Sequence, residues 1–559
     1  MREKLGHLLL IASFATLFYI NSFGNFFVWN DWTLIIENFL VRDWTNLPEI
    51  FTSAFWKPLI GEPAQIYRPL VSLSFMADFY LWRLNPWGYH LTNTSLHAAN
   101  SLLSYFLMRA YVSPTTALIG SVLFAVHPIH TEAVTHISGR ADLLMSFFIL
   151  SGVLLFVRSE RYGSVFLYLL SLPLFFLALL SKETAMIFPL WLFIAEVTAF
   201  PISGKGDFQR RLTRVLGPLA VVGVYYLLRK TYVGMTASGH SLIVPGLIDQ
   251  LLLVLKAIPL YVGVFLFPWN VHFLHPLEVS SLVDPQILLS IVLLGGVGWG
   301  MGQAMRFGNH GVTFALLWSL AGLLPLVQFV GLGLPLLEGW TYLPFFGAFL
   351  LAALGLDKLR RWTNSAVPLL LALWIAVLLG GRTLYRNWDW KNDMEISLHS
   401  VAAAPDDPIS LRLIGNAYMR QAKFAEAEKW FKKGLALAPT DPGLHRSLGA
   451  LYRFLGRDAE ALGHYGEALK ATAKEPYAYW LLGHYFLRRG KLDEAEKYFS
   501  DAVKIFPCSS ELHRNLALAY FLQGKLDAAE AELKAALKIS PYSPVLKEDW
   551  EIVRKKRRL

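Results

Sequence analysis

The sequence predicts an all-α protein in two parts, a polytopic bundle of membrane-spanning helices followed by an α-helical solenoid. Three observations predict it. The chain has 559 residues, is 55% hydrophobic and only 16% charged, and has a mean hydropathy of +0.42, values that belong to membrane proteins. Apolar runs of spanning length are confined to residues before about 382. From about residue 405 onward the composition turns to Ala, Glu, Lys, Leu and Arg, and small residues recur every 34 positions.

The first part opens with Met1-Arg-Glu-Lys4 and an apolar run to about Phe23. The charge pattern is that of a signal peptide, but no small-residue cleavage site precedes Asn25, so the run reads as an uncleaved first span. Further apolar runs lie near 91–111, 115–127, 140–157, 164–180, 184–200, 214–230, 285–305, 312–331, 343–357 and 365–382. Together they predict about eleven spans. The basic connections Arg158 to Arg161, 205–214, the Arg306 region and Lys358 to Arg361 then share one side, which the positive-inside rule makes cytoplasmic. The segment 246–268 breaks the alternation and reads as re-entrant or interfacial. An odd number of spans exports the C-terminal part, the long first loop 25–90, and the polar segments at 127–142, 182–183 and 338–342. The expected divisions are a transmembrane domain over 1–384, a linker or capping half-repeat over 385–407, four repeats over 408–545 and a basic tail over 546–559.

The net charge of +10 does not point to nucleic acid, because much of the excess sits in short loops between spans. One cysteine, Cys508, excludes an intramolecular disulfide and a cysteine metal cluster.

In the second part Gly415, Gly449, Gly483 and Ala517 are 34 residues apart, as are Ala427, Ala461, Ala495 and Ala529. This is the tetratricopeptide period. Tyr418, Tyr452, Phe486 and Tyr520 mark the aromatic position of each first helix, and Phe431, Tyr465, Phe499 and Leu533 the large position of each second helix. Pro439, Pro507 and Pro541 end repeats, while Ala473 stands where the second repeat would have its proline. Stacked helix pairs leave a concave groove suited to an extended peptide, and equally to self-association or scaffolding.

Chemistry concentrates in residues 127–144, where three His, one Glu, one Arg and one Asp lie between apolar stretches. Ionisable groups are costly in hydrocarbon and normally face a polar cavity or the interface. His127, His130, Glu132 and His136 lack the H-E-x-x-H spacing of a zinc protease, and Pro128 interrupts the first pair. His127 and His130 also read as packing or hydrogen-bonding residues of a sharp turn, with Gly139 permitting a close approach. That account leaves Glu132, Arg140 and Asp142 less well explained. In a third reading Arg140 and Lys182 neutralise a lipid phosphate while Glu132 or Asp142 orients the cations or sugar hydroxyls. Glu183 and Glu338 are supporting acids. Asn30-Asp31, after the first span, reads from the residues alone first as an interfacial acid or an N-cap for 32–40. Tyr67-Arg68 offers a guanidinium matched to phosphate oxygens, and His90, Asn93, His97 and Asn100 form a polar stripe suited to helix-to-helix hydrogen bonding.

Val28-Trp-Asn-Asp31, Tyr67-Arg-Pro-Leu70, His90 to His97, His127 to Val134, Gly139-Arg-Ala-Asp142, Leu180-Ser-Lys-Glu183 and Glu338-Gly-Trp-Thr-Tyr342 are followed in order by the repeats. In that order and spacing the chain resembles the transmembrane and tetratricopeptide-repeat-containing family, whose members resemble GT-C glycosyltransferases using polyprenyl-phosphate sugars. The resemblance spans nearly the whole chain. It implies an outward-facing site, Asp31 as the catalytic acid of the first loop, and transfer of a sugar to Ser or Thr of an acceptor protein held by the repeats. It implies no firm cofactor, and is compatible with a divalent metal. Arg68, Arg140 and Lys182 are then the phosphate candidates, supported by Glu132, Asp142, Asn30, Tyr67, His127, His130, Glu183 and Glu338. The family's first loop commonly pairs two acids, whereas here Asn30 precedes Asp31, which puts a two-carboxylate role in doubt. The expected setting is a lipid bilayer, by preference a bacterial inner membrane, with repeats periplasmic, or lumenal in a eukaryote. The competing reading is an inactive membrane-anchored scaffold. A transporter ranks below both, since Asp142 and Glu183 sit at span ends rather than at the midplane.

Overall fold

Length and apolarity together decide which helices can cross a bilayer. The computed structural model describes residues 2–52, 55, 66–199, 205–232, 247–269, 284–327, 338–471, 476–507, 509–540 and 543–558, and the elements among them are helical. Five of these helices meet both criteria: Glu3–Gly24, Ile137–Tyr162, Arg211–Tyr232, Pro285–Arg306 and Val367–Trp390. A sixth arises if Pro114–Val126 and Pro128–Thr135, bent by 52°, form one broken span.

The sequence led to an expectation of about eleven spans, and the difference has physical causes. Pro86–Met108 is 23 residues long, but its buried His90, Asn93, His97 and Asn100 dilute its apolar character. Val165–Ser181 and His310–Leu323 are apolar but have only 17 and 14 residues. The run 184–200 spends its start on a 3-10 turn, Glu183–Ile187, leaving the 12-residue helix Phe188–Ala199. Phe346–Thr363 carries Asp357, Lys358, Arg360 and Arg361 within its length. The segment expected to be re-entrant is one helix, Leu247–Leu266, with Pro259 inside it. An odd span count therefore no longer fixes the side on which the repeats lie.

The chain divides into two compact units. The first comprises Met1–Val28, Leu81–Leu227 and Ser241–Asn392. Pro86–Met108 and Arg140–Tyr162, each of 23 residues, run side by side in the same direction. At about 1.5 Å per residue each is about 34 Å long, close to the hydrocarbon thickness of a bilayer. Asn100 Nδ2, past the middle of the first, donates to Leu143 O (3.0 Å) near the start of the second. Near their ends, Tyr105 and Arg109 share a cavity wall with Val157 and Arg158.

The second unit comprises Trp29–Tyr80, Leu228–His240 and Asp393–Leu559, so the long first loop groups with the repeats. The repeats are the helix pairs Pro408–Arg420 and Phe424–Leu437, Pro442–Phe454 and Asp458–Ala471, Pro476–Arg488 and Leu492–Ile505, and Ser510–Leu522 and Leu526–Ile539. Asp407 and Asp441 cap their helices, accepting from Ser410 N (2.8 Å) and Leu444 N (2.6 Å), with proline at the first helical position. A helix over Asp393–Ala403 packs against Pro408–Arg420, within the stretch read as linker or half-repeat. The stretch read as a basic tail is instead a helix, Pro544–Arg558, which buries Leu546 and Val553 against the last repeat. Spacing of apolar residues at 546, 550 and 553 makes one helical face, and the run of Lys and Arg covers the other.

The 34-residue period has a steric cause. A Cβ on Gly415, Gly449 or Gly483 would lie 2.3–2.4 Å from the ring of Phe431, Tyr465 or Phe499 respectively. In the last repeat the large residue is Leu533, and the small position there is Ala517. The two positions are therefore one packing unit: a flat ring demands glycine, and the smaller leucine admits a methyl. Gly449→Ala should destabilise the repeats by about 1–3 kcal/mol through overpacking, and Tyr465→Leu in the same chain should recover part of that loss. Chemical denaturation combined with hydrogen exchange over 442–471 reads both effects. An unchanged Gly449→Ala protein would sink the argument.

A second expectation concerns pH. Burial works against protonation of His513, but its Nδ1 bond to Glu532 (2.5 Å) and the Pro507 carbonyl outweigh burial, so its pKa lies above the ordinary 6.5. The folded state thus holds this proton more tightly than the unfolded chain. That contribution is fully present below pH 6.5 and is lost as pH rises through the raised value. Exchange protection of 510–539 should fall over that window in the native protein and stay flat in His513→Gln.

Candidate functional site

The polar stretch 127–139 is a chain of short helical turns rather than one continuous helix, namely the 3-10 turn Pro128–His130, the five-residue α-helix Thr131–Thr135 and the 3-10 turn Ile137–Gly139. His127 starts it. Its Nδ1 accepts from Ile129 N (3.2 Å) and its Nε2 donates to Phe265 O (2.9 Å), which requires the neutral Nε2-H tautomer. The His130 ring packs among Phe124, Tyr342 and Phe349 at centroid distances of 4.4–5.4 Å, and neither ring nitrogen has a hydrogen-bond partner among the described residues. Gly139 closes the turns: a Cβ there would lie 2.6 Å from Ala133 O and 2.8 Å from Glu132 O.

These turns expose peptide groups that a helix would satisfy, and two asparagines supply partners. Asn93 Nδ2 faces the carbonyls of Val134, His136 and Ile137 at 3.1–3.2 Å, while Asn93 Oδ1 accepts from Arg140 Nε (2.7 Å). Asn387 Oδ1 accepts from Thr135 Oγ1 (2.8 Å), and its Nδ2 donates to Phe18 O (2.9 Å). Phe26 N donates to Lys391 O (2.9 Å), so the chain leaves the first unit after Val28 and after Asn392 from this same end.

Glu132 and Asp142 approach Gly339, and Lys182 joins them through Asp142. Glu132 Oε2 accepts from Gly339 N (2.8 Å), and a Cβ on Gly339 would stand 3.4 Å from Glu132 Oε1 and 3.6 Å from Asp142 Oδ2. Lys182 Nζ donates to Asp142 Oδ1 (2.6 Å), and both side chains are buried. Asp142, Lys182, Met145 and Thr184 line a cavity of about 20 Å³ with Trp191 and Trp340. The neighbouring Glu338 pairs with Arg386 in full burial, and Arg386 also reaches Asp389 at 3.5 Å. Glu183 is buried at the start of its 3-10 turn.

Arg140, grouped by the sequence with Asp142, is held differently. It is fully buried, and besides its bond to Asn93 it donates from a terminal nitrogen to Tyr89 O (2.9 Å). Two residues along a helix turn the side chain by about 200°, so Asp142 goes with Lys182 and Arg140 with the Asn93 clamp. Arg386, Asn387 and Tyr342 were not singled out individually from sequence. The signal available was the polar pair Arg386-Asn387 ending an apolar run.

In the second unit Asp31 is fully buried and Asn30 partly exposed. The expectation that Asp31 caps a helix over 32–40 is not met: its side chain makes no cap bond, and the following element is a short π-turn, Trp32–Ile36. Asp393 organises this loop. It accepts from Trp29 N (2.8 Å) and Trp32 Nε1 (2.9 Å), pairs with Arg420 (2.6 Å), and holds Trp29 at a φ of +48°. Tyr67 donates to Phe51 O (2.7 Å), and Arg68 lies over the Phe55 ring at 5.8 Å. Among the described residues no three His, Cys, Asp or Glu side chains gather as a metal site.

Removing one partner of a buried ion pair leaves an uncompensated charge, worth about 3–5 kcal/mol. Arg386→Met should therefore destabilise the detergent-solubilised protein by about that amount, and adding Glu338→Gln should recover much of it. Thermal unfolding of the single and double variants checks the coupling, and strictly additive losses would refute it.

Sequence models of the tetratricopeptide repeat match residues 408–441, 447–510 and 481–544. The chain is 26% identical over 76% of its length to protein O-mannosyl-transferase TMTC3 of Mus musculus, covering 50% of that protein. It is 25% identical over 75% of its length to protein O-mannosyl-transferase Tmtc1 of Drosophila melanogaster, covering 60% of that protein. A 153-residue stretch is 38% identical to protein O-mannosyl-transferase tmtc2 of Xenopus laevis, covering 27% of this chain and 18% of that one. Among solved structures, the crystal structure of MamA protein aligns with 26% of this chain and 81% of its own at 22% identity and a TM-score of 0.24. The chain thus combines apolar helices of spanning length with tetratricopeptide repeats and is homologous to membrane O-mannosyl-transferases, spanning about half the length of the TMTC3 relative.

Proposed function

We propose that the protein is a membrane glycosyltransferase that moves a sugar, mannose by similarity, from a polyprenyl-phosphate donor to a Ser or Thr hydroxyl of an acceptor protein. The observation that carries this is the approach of Glu132 and Asp142 to Gly339, with Lys182 joined through Asp142, in a chain similar to O-mannosyl-transferases. A bundle with only a structural task gains little from burying two carboxylates and an ammonium around one peptide N–H.

In this reading the acceptor oxygen attacks the anomeric carbon as the bond from that carbon to the phosphate oxygen breaks. The proton passes to the Asp31 carboxylate, and polyprenyl phosphate leaves. One displacement inverts the anomeric centre. Lys182 and Arg68 are the cations assigned to the departing phosphate, and Arg140, held by Asn93 and the Tyr89 carbonyl, braces the turns instead. Glu132 and Asp142 hold Lys182 and the sugar hydroxyls, with Glu183 and Glu338 behind them. Tyr67, His127 and His130 shape the surrounding turns. The repeats hold the acceptor segment, and transfer takes place on the exported side, periplasmic in a bacterium.

A general base contributes about two to four powers of ten. Asp31→Asn should therefore lower transfer from labelled polyprenyl-phosphate mannose to a Ser/Thr-rich peptide by that factor while the melting temperature stays unchanged. Undiminished transfer would remove Asp31 from the mechanism. A native protein that neither labels peptide nor hydrolyses donor, yet retains a partner through residues 405–550, would establish the scaffold reading instead.

A further inference from the structure

The helices that bring Asn93 and Arg140 together at one end bring Arg109, Arg158 and Arg161 together at the other. Between them opens a cavity of about 380 Å³, walled by Glu3, Lys4 and His7 of the first helix, Tyr105 to Ala110, Pro114, and Leu154 to Tyr162. Four cations and one acid face it.

The balance of charge here differs from that in two of the other basic connections. Arg214 is neutralised by Glu160, and Arg360 and Arg361 by Asp357. Lys4, Arg109, Arg158 and Arg161 form no ion pair among the described residues, although Glu160 lies between two of them in sequence. Their stems are nonetheless braced: Arg109 donates to Val112 O (2.8 Å), Lys4 sits 5.4 Å from the Phe106 ring centroid, and His7 bonds the Tyr105 hydroxyl (3.0 Å). Like charges converging on one cavity repel unless an anion joins them. Leu5, Leu9 and Tyr162, exposed by 57%, 60% and 69%, form an apolar flank beside it, which in a bilayer faces acyl chains.

We propose that this cavity binds the phosphate of an anionic phospholipid headgroup, with the lipid's acyl chains lying along Leu5 and Leu9. Arg158 and Arg161 grip the phosphate oxygens in forked geometry, and Lys4 and Arg109 close the other side. The about 34 Å length of the two helices puts this headgroup in one leaflet and the Glu132–Lys182 cluster at the opposite face. Bound lipid would thereby fix the depth and tilt of the helices that carry the cluster.

The test uses the full-length protein in neutral detergent, titrated with phosphatidylglycerol or phosphatidylcholine of equal chain length and followed by native mass spectrometry. Phosphatidylglycerol should be retained preferentially, and Arg158→Gln with Arg161→Gln should weaken its retention roughly tenfold or more. Lys4→Gln should weaken it less, and Arg360→Gln with Arg361→Gln, which removes paired cations, should leave it unchanged. Equal retention of the two lipids, or native retention by the Arg158 and Arg161 variant at unchanged melting temperature, overturns the proposal. So does full displacement by inorganic phosphate at equal concentration, which would assign the cavity to a free anion.

Discussion

Chain that is not one continuous helix inside an apolar bundle must find partners for its peptide groups, and in the first unit Asn93 and Asn387 provide them. Lipid offers no hydrogen bonds, so a broken stretch such as 127–139 survives only where side chains replace the missing helix bonds. Asn93 does this for three carbonyls from one amide nitrogen and spends its oxygen on Arg140. Asn387 ties Thr135 to Phe18, and with them the ends of two helices far apart in sequence. Glu132 is aimed at Gly339, and Asp142 begins its helix on the correct face, only because these two amides hold the turns in place.

The sequence made this region visible but did not show which of its members pack together. Ionisable residues between apolar runs are rare enough to stand out, so Glu132, Asp142 and Lys182 were found without coordinates. Arg140 was found too, but its neighbourhood was read from sequence distance, and helical rotation separates residues two apart. Reading spans from sequence meets a related difficulty. A window average treats a polar stripe such as His90, Asn93, His97 and Asn100 as noise in an apolar run, when it is one face of a helix turned towards other helices. Arg386 and Asn387 escaped because a polar pair at a span end is common, and only the fold reveals which ends turn inward. In the repeats the reverse held. Periodicity there is imposed by contact between Gly and a ring in the same repeat, so local sequence carries the whole constraint.

The two ends of the Pro86–Met108 and Arg140–Tyr162 pair carry opposite chemistry, and that asymmetry is physically coupled. In the proposed lipid site, the cations at one end would orient the helices in the field of an anionic leaflet. Paired acids and amides at the other end cannot tolerate displacement into hydrocarbon. A shift of one turn, about 5.4 Å, would bring Arg158 or Asp142 into the apolar layer. Both ends therefore resist the same motion, which is the stiffness a buried site at a membrane surface requires.

The grouping of Trp29–Tyr80 with the repeats bears on how such a site would be used. Asp393 locks the Trp29 peptide and the Trp32 indole to Arg420 on the first helix of the first repeat. Asp31 lies between those two tryptophans, so its position is set by the same contacts that seat the repeats. Asp393, which is neither base nor ligand in the proposed scheme, sits one residue past Asn392, where the first unit ends. A residue there governs how Asp31 is presented without touching substrate, and its effect on rate would pass through the Trp29 conformation rather than through charge.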